Sequence, residues 1–224
     1  LFRSARRHAA GGKKVPFLCF TLPLAKWLKS RLEPAGVEVQ TVSGFAQRLV
    51  ESADGPARAT DLTANEYWRA VYERAGDVAG PRWDVVVVDE GQDLTYEAWY
   101  LVGALANGRT LWAFHDAGQG FWADRAPPTD LFQARFRLTR GQRCPPGIAA
   151  LAARYVGDEA DASAIASAQR DGELKLASCT DPARLVDRVA AEVDQLIAQG
   201  LSPRDIGIVS LRGQTAATAV HHRE

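Results

Sequence analysis

Two adjacent carboxylates, Asp89 and Glu90, follow directly on four consecutive valines, Val85 to Val88. Behind them come Gly91, Gln92 and Asp93. Four β-branched apolar residues in a row predict a strand buried on both faces, as in a parallel sheet. The end of such a strand is where a phosphate-bound Mg²⁺ needs a hard oxygen ligand, a role open to Asp89. The next carboxylate, Glu90, can orient or polarise an attacking water. The same residues also fit an acidic strand-to-helix turn in which Asp93 caps the helix that follows.

The elements that would position these groups alternate between helix and strand. Residues 1–10 read as the end of a helix stopped by Gly11 and Gly12. Residues 15–21 form an apolar run of strand length. Residues 24–32 are helical, with Leu24, Trp27, Leu28 and Leu32 on one face. A second strand is expected over 37–41, then a helix over 43–50 capped by Ser43. Residues 51–62 read as a polar loop and 64–74 as a helix. The valine strand spans 83–89, a helix 95–106, a strand 110–115 and a Pro-containing loop 124–130. Further on, strands are expected over 135–139, 174–178 and 206–211, and helices over 146–155 and 182–199. Between them, 157–172 reads as a mobile polar stretch. Strands alternating with helices predict an α/β fold built on a doubly wound parallel sheet, with ligands at the carboxyl ends of the strands.

Composition narrows the class. In 224 residues, 27 basic side chains balance 27 acidic ones and 46% of the chain is hydrophobic, which excludes a disordered tail. Apolar runs fall far short of the roughly 20 residues of a membrane span, and no signal peptide is expected from the first residues given. Cys19, Cys144 and Cys179 lack metal-ligand spacing and are odd in number, so a reducing cytoplasm is expected. The chain begins with Leu1 and contains no Met, so a piece of a longer protein is expected. Residues 1–50 carry a net charge of +7, residues 51–133 a net −8 and residues 134–224 a net +1. The basic first segment is compatible with a surface for phosphate backbones, and equally with a solvated helix face and turn.

Asp89-Glu90-Gly91-Gln92-Asp93 resembles motif II, D-E-x-Q-D, of superfamily 1 helicases of the UvrD/Rep/PcrA type. Other segments resemble further motifs of that family in the family's order. Residues 17–25 resemble motif Ia, with Leu22 and Pro23 where the family has Asn and a basic residue. Residues 39–46 resemble motif Ib through Thr41, Phe45 and Ala46. His115-Asp116-Ala-Gly-Gln119-Gly-Phe121-Trp122 resembles motif III, with His115 in place of Gly. Residues 138–148 resemble motif IV, with Gly141 and Gln142 replacing Asn-Tyr before Arg143, and residues 202–212 resemble a later strand of the second motor domain.

The resemblance implies a two-domain motor with RecA-like doubly wound sheets: most of a first motor domain over 1–133 and the beginning of a second over 134–224. It implies ATP and Mg²⁺ as cofactors, single-stranded and duplex DNA as partners, and no membrane. In its terms Asp89 holds Mg²⁺ through the nucleotide and Glu90 activates water. Gln119 senses the γ-phosphate, and Arg143 reaches the transferring phosphoryl group with a planar, permanently charged fork. Thr21, Thr41, Ser43 and Trp122 contact single-stranded DNA, Trp122 by stacking on a base. Gln92 and Asp93 couple the two domains.

The phosphate-cradling pattern G-x-x-x-x-G-K-[ST] is absent, and Gly11-Gly12-Lys13-Lys14 does not replace it: the spacing is wrong and it ends a helix where that loop must begin one. Motifs V and VI are absent too. The leading expectation is therefore a fragment of an ATP-dependent DNA helicase or translocase serving DNA repair or recombination. The alternative is a non-catalytic DNA-binding or regulatory relative that lacks a phosphate loop.

Overall fold

The computed structural model describes residues 2–56, 61–80, 82–120, 122, 125–138, 144–155 and 162–209. The chain divides into two compact units, one ending at Arg137 and one beginning at Leu138.

In the first unit, β1 (Val15–Cys19), β2 (Val37–Thr41), β3 (Val85–Val88) and β4 (Thr110–Ala113) form one all-parallel sheet in the order β2-β1-β3-β4. Five helices accompany it among the described residues: α1 (Phe2–Ala10), α2 (Leu22–Leu32), α3 (Val42–Asp54), α4 (Ala64–Val78) and α5 (Tyr96–Ala106). Side chains alternate across a strand, and that alternation builds the layers. Val15, Phe17 and Cys19 of β1, with Val85 and Val87 of β3, pack against Ala5 of α1 and Ala25, Leu28 and Leu32 of α2. Leu18, Val86 and Val88 join the other cluster, with Phe45 of α3, Val71 of α4 and Trp99 and Leu101 of α5. Both faces of β3 are thus covered, which is why four valines in a row fold as a strand.

Threonine starts four of these helices. The hydroxyls of Thr21, Thr41, Thr63 and Thr95 accept from the amides of Leu24, Gly44, Glu66 and Ala98, at the heads of α2 to α5. Two expectations change here. Ser43 does not cap α3, because the chain turns from β2 into the helix two residues earlier, at Thr41. Residues 51–54 are not loop: α3 runs on to Asp54, its polar side chains forming the solvent face. Gln47 donates to Glu51 (2.9 Å), Ser52 donates to the Arg48 carbonyl (2.7 Å), and Arg74 of α4 holds Asp54 (2.6 and 2.7 Å).

The described part of the second unit is helical: α6 (Pro146–Tyr155), α7 (Ala162–Arg170) and α8 (Pro182–Ala198). Most of the stretch expected to be a mobile polar segment is α7, because Ile165 and Ala168 find a buried side against α6. Gly147 allows the approach, since a Cβ there would lie 2.0 Å from that of Ala168. The strands expected over 135–139, 174–178 and 206–211 are irregular wherever they are described. No ladder partner is paired with them among the described residues, and an apolar run becomes a strand only by pairing. Among the described residues no helix is long and apolar enough to cross a membrane.

Candidate functional site

The chain passes from β1 through α2 to β2 on one side, then returns across β1 to β3. The order of the sheet reverses between β1 and β3, and their carboxyl ends open side by side there. That is the place where open α/β sheets leave a crevice for ligands. The amide of Asp89 donates to the Leu18 carbonyl (2.9 Å), which ties the end of β3 to β1. Cys19 lies in the same corner, and its thiol is pushed up to about 12, first by burial and then by the negative charge of Asp89.

Glu90 turns the chain out of the sheet. It sits in the left-handed region (φ 56°, ψ 43°), a conformation that costs a non-glycine residue roughly 1–2 kcal/mol. Surrounding bonds hold it there. The Gly91 amide donates to the Phe114 carbonyl (2.9 Å), and the Asp93 amide donates back to the Glu90 carbonyl (3.0 Å). A side chain at position 91 would meet Trp99 Cζ2 at 2.9 Å, so the turn is tight against the core.

Gln92 is 4% exposed and has both ends of its amide engaged. Nε2 donates to Glu90 Oε2 (2.7 Å), and Oε1 accepts from the amide of Asp116 (3.0 Å). Asp116 in turn accepts from the Gly118 amide (2.9 Å) and from Gln119 Nε2 (2.7 Å). One chain of hydrogen bonds therefore runs from Glu90 through Gln92 and Asp116 to Gln119. It links the loop after β3 to the loop after β4.

A cation meets this acidic group. Arg125 Nη1 donates to the Asp93 carbonyl (2.7 Å), and its guanidinium carbon lies 4.4 Å from the Trp122 ring centre and 5.8 Å from that of Phe20. Trp122 is 50% exposed and Phe20 39%, so two open aromatic rings flank one guanidinium. The Asp93 carboxyl is held above its ordinary value by burial and by Glu90, with Arg125 working against both. The Tyr72 hydroxyl is also pushed up, by burial, while Arg125 and a hydrogen bond with Ser43 pull it back.

Of the expected site residues, Asp89, Glu90, Gln92, Asp93, Gln119 and Trp122 lie on the two loops just described. Gln92 and Asp93 find the partners named above within the first unit. Thr41 does not present itself to a ligand: it is 5% exposed, its hydroxyl caps α3, and Ser43 bonds it (3.3 Å). Thr21 is exposed but spends its hydroxyl on the cap of α2 (3.4 Å). Ser43 is half-buried between Thr41 and Tyr72. Arg143, with Gln142, lies outside the described residues. Sequence reasoning missed Phe20 and Arg125. The signal for Phe20 was an aromatic one residue past a buried strand. For Arg125 it was a cation three residues after Trp122.

Comparison with protein-family models, with curated proteins and with solved structures returned no match.

Proposed function

We propose that the first unit is the nucleotide-hydrolysing part of an ATP-dependent DNA helicase or translocase, of the superfamily 1 kind that its motifs resemble. One observation carries the proposal. A strained, hydrogen-bonded carboxylate stands at the switch point of a parallel sheet, joined through Gln92 and Asp116 to Gln119.

The donor set fits Mg²⁺. Among the described residues no group of three or more His, Cys, Asp or Glu side chains could cage a metal. Mg²⁺ needs no such cage, because it is held by one or two carboxylates together with phosphate oxygens and water. In the proposal Asp89 would hold that ion through the nucleotide, where it would supply neutralising charge to the phosphates. Glu90 takes the proton of the attacking water. Gln92 holds Oε2 of Glu90, and Oε1 accepts no hydrogen bond among the described residues, which leaves it for that water. Any movement of Gln119 with the nucleotide would be felt at Glu90 through the same bonds. Phe20, Arg125 and Trp122 offer alternating ring, cation and ring to a single strand of DNA. Repair or recombination is the setting proposed for such a motor.

Glu90→Gln in the intact protein tests the assignment. The expected outcome is near-complete loss of ATP hydrolysis with nucleotide binding retained, measured by phosphate release and by titration of a fluorescent ATP analogue. Unchanged turnover removes Glu90 from its role. Single-strand DNA binding with no ATP binding at all supports instead the non-catalytic, DNA-binding relative.

A further inference from the structure

At the opposite end of the sheet from Asp89, the first unit has a cleft of about 400 Å³ lined by Lys14, Arg48, Leu49, Ser52, Arg82 and Trp83. Lys14 leads into β1, Arg82 and Trp83 lead into β3, and the other three residues lie on α3. From Trp83 to Asp89 the chain runs the length of β3, roughly 20 Å at strand rise, so the cleft is separate from the carboxylate loops.

The lining contains three cations and no carboxylate. Arg48 is balanced by an ion pair with Glu38. Lys14 Nζ and the Arg82 guanidinium have no ion pair or hydrogen bond among the described residues, and both side chains are exposed. Asp84, next to Trp83 in the chain, is already committed: it accepts from the Lys14 amide (2.9 Å) and from Arg109 Nη1 (3.0 Å). Two uncompensated positive charges therefore stand at the cleft. Leu49 and the Trp83 ring give it an apolar wall, and the ring is held against Phe45 (centres 5.7 Å apart). A volume near 400 Å³ is within the range of small-ligand sites.

From this we propose that the cleft binds a phosphate monoester of a planar aromatic group. The phosphate, with close to two negative charges at neutral pH, matches the two uncompensated cations. Arg82 supplies a planar fork that fits two phosphate oxygens, and Lys14 a point charge. The flat apolar body lies against Leu49 and Trp83. A ligand seated there touches α3 and the approaches to β1 and β3 together, at the end of the sheet away from the carboxylate loops.

Fluorescence titration of the full chain with 1-naphthyl phosphate tests the site, with 1-naphthol and inorganic phosphate as partial ligands. Saturable one-site binding is expected, weakened at least tenfold by Arg82→Gln and by Lys14→Gln. 1-Naphthol and inorganic phosphate should each bind at least tenfold more weakly than the ester. Asp89→Asn should leave the affinity within twofold, which separates this site from the carboxylate loops. No saturation, equal affinity in both charge variants, or loss of binding in Asp89→Asn overturns the proposal. Both cations are exposed, so their replacement leaves the core intact; far-UV circular dichroism checks this, and if Lys14→Gln misfolds, Arg82→Gln alone decides.

Discussion

Asn107 and Glu90 are the two non-glycine residues with positive φ among those described, and they differ in kind. Asn107 ends α5 in the left-handed position common at helix ends. Glu90 ends a strand, has no such excuse, and carries a bonded carboxylate. Strain that tertiary bonds hold in place, beside groups that could do chemistry, is a residue-scale mark of a site. Asp93 shows the electrostatic side of it. Its carboxyl is raised above its ordinary value by burial and by Glu90, so the folded chain favours the protonated form. The stability this contributes is full below the ordinary carboxylate range and is lost as pH rises through the raised value. Asp93→Asn should therefore raise the urea midpoint at neutral pH, and the gain should vanish in acid; a gain that persists unchanged in acid contradicts the assignment. For Trp122→Ala, single-strand DNA affinity should fall by about 1–3 kcal/mol, read by fluorescence anisotropy. Equal binding would make the stack of Trp122, Arg125 and Phe20 purely structural.

Among the elements, β3 and the short turn after it decide the geometry. β3 is central, covered on both faces and paired with β1 and β4, so its carboxyl end is a fixed platform. Gly91 then brings the chain against Trp99 of α5. Gly91→Ala should cost about 1–3 kcal/mol of unfolding free energy, because neither the ring nor the Phe114 carbonyl can retreat from a packed core. A stability within experimental error of the parent would show that the turn has slack. The four helices capped by threonine show how local chemistry and tertiary structure divide the work. Each cap is readable as a threonine before a helical pattern. Which hydroxyl does the capping depends on where the preceding strand releases the chain, and so Thr41 rather than Ser43 begins α3.

For the whole molecule, the two large apolar clusters both belong to the first unit, one on each face of the sheet. The three cysteines report on the two units separately. Cys144 and Cys179 are exposed, whereas Cys19 is buried beneath the site and its thiol is raised to about 12. Because that value is raised, the stability linked to Cys19 is full below the ordinary thiol value of 9.0 and is lost progressively as pH rises from there through about 12. At pH near 8 an alkylating reagent should therefore modify two sites quickly and the third only as the first unit unfolds, as followed by mass spectrometry. Fast modification of Cys19 would mean that the carboxyl end of β1 opens readily.

The sheet of the first unit was legible in the residues because β1 and β3 are short apolar runs and β2 alternates apolar with polar residues, and burial on both faces leaves little else for Val85 to Val88 to do. Asp89 and Glu90 were legible for the same reason: their place follows from where that strand ends. The runs at 174–178 and 206–211 look alike in sequence, yet where they are described they are not strands. A strand is a property of a pair, and one segment does not carry its partner. The bonds from Glu90 to Gln119, the meeting of Phe20 and Arg125, and the cations gathered around Trp83 join residues far apart along the chain. Only the tertiary structure decided these, because each contact depends on which loops the sheet order brings together.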